Sequence, residues 1–174
     1  LLYSRVGHAG AATGYLGVCR RTDYAADAWA GPPVGVVAYW SGKVPAADNK
    51  HRKPVVNDAA RQAGDVDVYV ILDADVIVNP EAVDEAVARA AATGRMVLPH
   101  NERVDLTDYQ TRRVLNGDRG NWRGPRCVAN VWHVSESSCV VVPSVLFDAV
   151  GGFDQRFVGW GYEDTAFRIA CERE

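Results

Sequence analysis

The chain has 174 residues, 48% of them apolar and 24% charged, with a formal net charge of −3. That is the length and balance of one globular domain able to bury most of its surface. The charge gives no electrostatic case for nucleic acid or anionic membrane, no run of about 18 apolar residues is present to span a bilayer, and no signal peptide is visible.

Cys19, Cys127, Cys139 and Cys171 are far apart and show no Cys-x-x-Cys spacing. Buried free thiols in a reducing compartment are favoured over a disulfide or zinc site, so a cytoplasmic protein is expected. Lysine occurs only at Lys43, Lys50 and Lys53, and Arg, Ala and Val are abundant, which hints at a GC-rich bacterial or phage gene. The chain opens at Leu1 without Met and closes in Phe167 to Glu174, which reads as mid-helix. Further sequence is expected at either end.

Leu1 to Val6 predicts a short first strand. Gly7, Gly10 and Gly14 follow, with a spacing that fits neither the dinucleotide fingerprint nor a P-loop, so a loop is expected. Tyr15 to Ala30 is roughly helical in period, and Gly31-Pro32-Pro33 stops it. Val34 to Trp40 predicts a second strand. Lys53-Pro54 opens a helix running to Ala63, with proline where it costs least.

Val66 to Val76 is the stretch around which the chain is organised. Val68-Tyr69-Val70-Ile71-Leu72 suits a strand buried on both faces, and it runs into Asp73-Ala74-Asp75. Alternate residues on extended backbone share a side, so the two carboxylates can converge at the carboxyl end of the strand, where open α/β sheets bind ligands. A hard divalent cation and the phosphates of a substrate would relieve their repulsion. Two solvated aspartates at a strand end is the plainer alternative, and this stretch alone does not decide between them.

Val76 to Val78 finishes the loop. Asn79-Pro80-Glu81 predicts a helix start, with Val83, Val87, Ala90 and Ala91 as its apolar face and Gly94 as its end. Arg95 to Pro99 predicts a fourth strand. His100 to Ser138 lacks clear periodicity and reads as a lid or acceptor-side loop, with a short helix from Asp105 to Leu115. Cys139 to Val142 predicts a fifth strand, followed by a short helix to Val150 that Gly151-Gly152 terminates. Alternating strands and helices argue for parallel βαβ units.

The closing stretch, Phe153 to Thr165, gathers aromatics, glycines and paired acids. Gly161 allows close approach of backbone to a ligand, and Trp160 offers a flat apolar face of the kind sugars stack on. Glu163 and Asp164 open the last helix, where the dipole keeps carboxylates ionised. By itself this is also what an ordinary helix start looks like.

Taken together, Val70 to Asp75, Val150-Gly151-Gly152-Phe153-Asp154-Gln155-Arg156-Phe157 and Gly159-Trp160-Gly161-Tyr162-Glu163-Asp164 resemble the inverting family-2 nucleotide-sugar glycosyltransferases of GT-A fold. The last stretch is also similar to the Trp-Gly-x-Glu-Asp motif of the β-1,4-galactosyltransferases, with Tyr162 where glycine is more usual. The resemblance covers about residues 50 to 170. It implies a GT-A (Rossmann-like) three-layer α/β/α sandwich with a mainly parallel central sheet. It also implies a nucleotide-sugar-binding half over 1–99 and an acceptor-binding, catalytic half over 100–174.

The resemblance further implies that Asp75 ligates Mn2+ or Mg2+ on the donor diphosphate and that Asp73 contacts the ribose or the metal's water. Lys53 and Asn57 would line the nucleotide pocket, Asp164 would be the catalytic base, and Glu163 and Trp160 would hold the acceptor sugar. The donor class it favours is a UDP-sugar, and the acceptor is a glycan, lipid or protein. His100 and His133 read as structural or acceptor-side. A haloacid-dehalogenase-type phosphohydrolase is the rival enzyme, since Leu72 to Asp75 resembles its first motif. A GT-A domain that binds nucleotide-sugar or glycan without turnover is the non-enzymatic alternative.

Overall fold

The computed structural model describes residues 2–5, 17–20, 34–39, 52–63, 65–73, 76–118, 125–133, 135–157 and 161–174. In chain order the elements are β1 (Leu2–Arg5), β2 (Gly17–Arg20), β3 (Val34–Tyr39), α1 (Arg52–Ala63), β4 (Val68–Asp73), β5 (Val76–Ile77), α2 (Pro80–Thr93), β6 (Arg103–Leu106), α3 (Asp108–Leu115), β7 (Val128–Trp132), β8 (Cys139–Pro143), α4 (Ser144–Ala149) and α5 (Glu163–Arg173).

The strands form two sheets, in the orders β2-β3-β4-β8 and β5-β1-β6-β7. In the first, β3 and β4 run parallel, from Val34 opposite Val68 to Tyr39 opposite Asp73, with α1 between them in sequence. Strands β2 and β8 pair antiparallel to β3 and β4. Of the expected mainly parallel sheet, this sheet has one parallel pair among the described residues, β3–β4, and the other sheet has a second, β1–β6, from Leu2 opposite Arg103 to Arg5 opposite Leu106.

The apolar run of β4 is continuous because both faces of this strand are covered. Tyr69 and Ile71 join Val140 and Val142 of β8 in a core with residues of α1, α4 and α5. The alternate residues Val68 and Val70, with Cys139 and Val141, pack against α2. Helices thus lie on both sides of β4 and β8. In the first core Phe153 stacks on Phe167 at 4.3 Å between ring centroids, and Phe147 meets Phe167 at 5.6 Å. Residues of both chain halves build this one core.

Helix α2 follows its local signals. The Asn79 side chain accepts from the Glu81 N–H at 2.9 Å, and Gly94 ends the helix at φ 68°, a left-handed conformation. Its buried face is Val83, Ala86, Val87 and Ala90, with Ala86 in place of the expected Ala91.

Four expectations are corrected. Gly17–Arg20 is a strand, not helix, because pairing with the edge of β3 outweighs its helical period. Val76–Ile77 is a strand paired with β1. The expected strand over 95–99 shrinks to a single bridge between Val97 and Val141, closed by two backbone hydrogen bonds of 2.8 and 2.9 Å. The helix expected from Asp105 starts at Asp108, because the Thr107 hydroxyl caps it by accepting from Gln110 N–H, and Asp105 belongs to β6. The glycine-rich loop over 7–14 and the remainder of the helix predicted through Ala30 lie outside the described residues.

Candidate functional site

Asp73 closes β4, half-buried, and its backbone N–H donates to the carbonyl of Ser138 at 2.9 Å. Ser138 is buried and adopts φ 81°, a conformation L-residues other than Asn and Asp rarely hold. Because β8 runs antiparallel to β4, the segment that precedes β8 arrives at the carboxyl end of β4. Burial, and secondly the negative charge of Asp73, push the Cys139 thiol up to about 12.

The 135–138 segment is held from two further sides. His100 Nε2 lies 3.1 Å from the Ser135 carbonyl, which makes that nitrogen the N–H donor, and burial holds the imidazole pKa below its usual value. Arg168 Nε donates to Glu136 Oε1 at 2.6 Å, and Arg168 also pairs with Glu172 on its own helix. Arg168 lies one turn beyond Asp164 on α5. The end of β4 and the second turn of α5 are thereby linked through 135–138.

At the start of α5, Glu163 is only 4% exposed, and its Oε2 accepts from the Gly161 N–H at 2.9 Å. Gly161 sits at φ 113°, a position closed to most side chains. Tyr162 follows at φ 66° and is 82% exposed. A left-handed non-glycine residue costs about 1–2 kcal/mol. Tyr162 thus takes a glycine's conformation at the place where the resembled motif has glycine, and its ring stands in solvent beside the acidic pair. Asp164 is half-buried in the first helical turn.

Asn57 is 4% exposed, and its amide is committed at both ends to one residue. Its Nδ2 donates to the Phe153 carbonyl at 2.8 Å, and its Oδ1 accepts from the Phe153 N–H at 2.9 Å. Gly152, at φ 71°, makes room for this, since a Cβ there would sit 2.6 Å from Asn57 Oδ1. Asn57 therefore fixes the turn that carries Gly151 to Asp154. A cavity of about 440 Å³ opens beside it, lined in part by Asn57, Asp154, Arg156 and Phe167. Arg156 pairs with both carboxylate oxygens of Asp154 at 2.7 to 3.1 Å.

Of the residues singled out by sequence, Asp73, Asn57, Gly161, Glu163 and Asp164 are placed as above. Asp75 and Trp160 lie outside the described residues, as does the side chain of Lys53. No group of three His, Cys, Asp or Glu side chains gathers as a metal site among the described residues. The pair Asp73 and Asp75 offers hard oxygen ligands, a donor set that suits Mn2+ or Mg2+. Sequence reasoning missed Ser138, Glu136 and Arg168. None has a local signal, because each acts through a contact with a distant part of the chain.

No family model, curated protein or solved structure matches the chain. No helix among the described residues is long and apolar enough to cross a membrane.

Proposed function

We propose that this chain is a metal-dependent, inverting glycosyltransferase domain of GT-A type. It would move a sugar from a nucleotide-sugar, with UDP-sugar the favoured class, to an acceptor hydroxyl. The observation that carries the reading is the link through 135–138. It joins the strand end that runs into the Asp-x-Asp pair to Arg168, one turn beyond Asp164 on the helix that opens with the Glu-Asp pair. An inverting transfer needs two separated functions, charge neutralisation at the departing diphosphate and a base at the attacking hydroxyl.

Asp75 with Asp73 would hold the Mn2+ or Mg2+, which supplies Lewis-acid neutralisation of the diphosphate when bound. Asp164 accepts the proton of the acceptor hydroxyl. Its place in the first turn of α5 favours the ionised form that a base requires. Glu163, turned back onto Gly161, sets the turn that presents Asp164. Asn57 holds the Gly-Gly-Phe-Asp turn against α1, and Phe153 of that turn stacks on Phe167 of α5.

The test is a titration of UDP and GDP with and without Mn2+, on this chain and on Asp75→Asn. Metal-dependent UDP binding that Asp75→Asn abolishes is expected, and a donor screen should then show transfer that Asp164→Asn lowers by about 10²–10⁴-fold. GDP binding in place of UDP would change the donor class. Folded protein that binds neither nucleotide would overturn the reading, and phosphatase activity in its place would favour the phosphohydrolase. Nucleotide binding with no transfer to any acceptor would favour a non-catalytic domain.

A further inference from the structure

The second sheet carries a side-chain cluster that the proposed reaction does not use. Along β6, Val104 and Leu106 are buried while Arg103 and Asp105 alternate with them onto the other face. The register sets Trp132 of β7 opposite Arg103, and Asn130 opposite Asp105. Trp132 Nε1 donates to Asp105 Oδ2 at 2.8 Å. The Arg103 guanidinium lies 5.2 Å from the indole centroid, a cation–π distance. Arg103 Nε also lies 3.4 Å from Asp105 Oδ1, and its Nη1 donates to Ser137 Oγ at 3.3 Å.

The indole is thus fixed at its N–H edge and by a cation over its ring. Its two holders are themselves well covered, with side chains 23% and 13% exposed. Trp132 nevertheless keeps 44% of its surface open. A tryptophan retained for core packing buries its ring, whereas this one is oriented and left accessible. We propose that Trp132, clasped by Arg103 and Asp105, is a stacking platform for a pyranose ring, and that it forms an acceptor-glycan subsite. The assignment of the glycan as acceptor rests on the transferase reading.

The occupant follows from the chemistry. A pyranose has a flat C–H face that an aromatic ring covers well, and a rim of hydroxyls that needs polar partners. Exposed Asn130 and the Asp105 carboxylate lie on the same face of the sheet as the ring. The charges of Arg103 and Asp105 offset one another, so the platform favours a neutral ligand over a phosphate. Little ordering is left to be done on binding, because the ring is already held. A relay of contacts connects the platform to α5. Ser137, which Arg103 contacts, neighbours Glu136, and Glu136 is bound to Arg168 on the helix of Asp164.

The experiment is saturation-transfer NMR on the whole chain with the methyl glycosides of glucose, galactose, mannose and N-acetylglucosamine. It is run on wild type, Trp132→Ala and Trp132→Phe, with a UDP–Mn2+ titration on the same samples. At least one glycoside should receive saturation at its ring C–H protons. Trp132→Ala should weaken its binding by about tenfold and Trp132→Phe should keep most of it. UDP binding should be equal in all three, which also reports that the variants are folded. If none of the glycosides binds wild type, or if Trp132→Ala binds them as well as wild type, the platform is overturned. UDP binding preserved in that case leaves the transferase reading standing. Trp132-dependent glycoside binding without any nucleotide binding does the reverse.

Discussion

Replacing Asn57 with alanine should cost more stability than its size suggests. The side chain joins α1 to a residue 96 positions away through two hydrogen bonds of 2.8 and 2.9 Å. Alanine leaves the N–H and the carbonyl of Phe153, a residue 6% exposed, without those partners. Each abandoned buried group costs about 1–3 kcal/mol, or about 2–6 kcal/mol for the two. The adjoining cavity of about 440 Å³ can admit water to them, which sets the expectation at the low end, about 2–3 kcal/mol. For a chain of this length that is about 4–12 °C in Tm. Urea unfolding followed by circular dichroism should show a lower midpoint with an unchanged slope. Asn57→Asp keeps an acceptor for the N–H but sets a carboxylate oxygen against the Phe153 carbonyl, and should fall at least as far at neutral pH. Stability within about 0.5 kcal/mol of wild type, the range of an ordinary surface change, would refute the clamp. Such a result combined with weakened UDP binding would return Asn57 to direct nucleotide contact.

Gly152→Ala should destabilise more than Gly151→Ala. Both carry the left-handed φ, but a Cβ meets Asn57 Oδ1 at 2.6 Å only at Gly152, while none of its surroundings come within 4 Å at Gly151. Equal urea midpoints for the two variants would contradict this. Tyr162→Gly should leave stability within about 1 kcal/mol of wild type, since relief of the left-handed strain is offset by glycine's chain entropy. A loss of several kcal/mol in the same assay would show that the exposed ring has a structural partner. Burial pushes the thiols of Cys139 and Cys171 up from 9.0 to about 12 and about 11. At pH 8 a maleimide should therefore modify half-buried Cys127 well before either. The native state then holds protons that the unfolded chain releases near pH 9, so stability should fall as pH rises from there through about 11 to 12. Replacing both residues with serine should flatten that alkaline limb.

What was legible in the sequence was what is decided locally. The continuous apolar run of β4 announces a strand covered on both faces, and Asn79, Pro80 and Gly94 delimit α2 by their own chemistry. Thr107 three residues ahead of Gln110 is the same kind of signal, the capping-box pattern, of which the structure makes the Thr107 half, and it marks the start of α3. Gly17–Arg20 was misjudged because its period is compatible with a helix and only the edge of β3 makes it a strand. In the candidate site, the paired acids at the start of α5 were visible, but the contacts that hold the site together were not. Asn57 with Phe153, and Arg168 with Glu136, join residues far apart in sequence, and their residue types suit many other roles.

The antiparallel entry of β8 also determines where the chain can be lengthened without harm. In a sheet built only of parallel strands, the ligand-bearing edge is furnished solely by segments that leave strands. Here a segment entering a strand is delivered to that edge, so added residues between His133 and Cys139 would remodel the surroundings of Asp73. Residues added between Pro143 and Ser144 would fall at the opposite edge, where the Ser144 N–H bonds the Asp67 carbonyl ahead of β4. Insertions on the two sides of one five-residue strand should therefore have different consequences, one reshaping the edge at Asp73 and the other leaving that edge as it is.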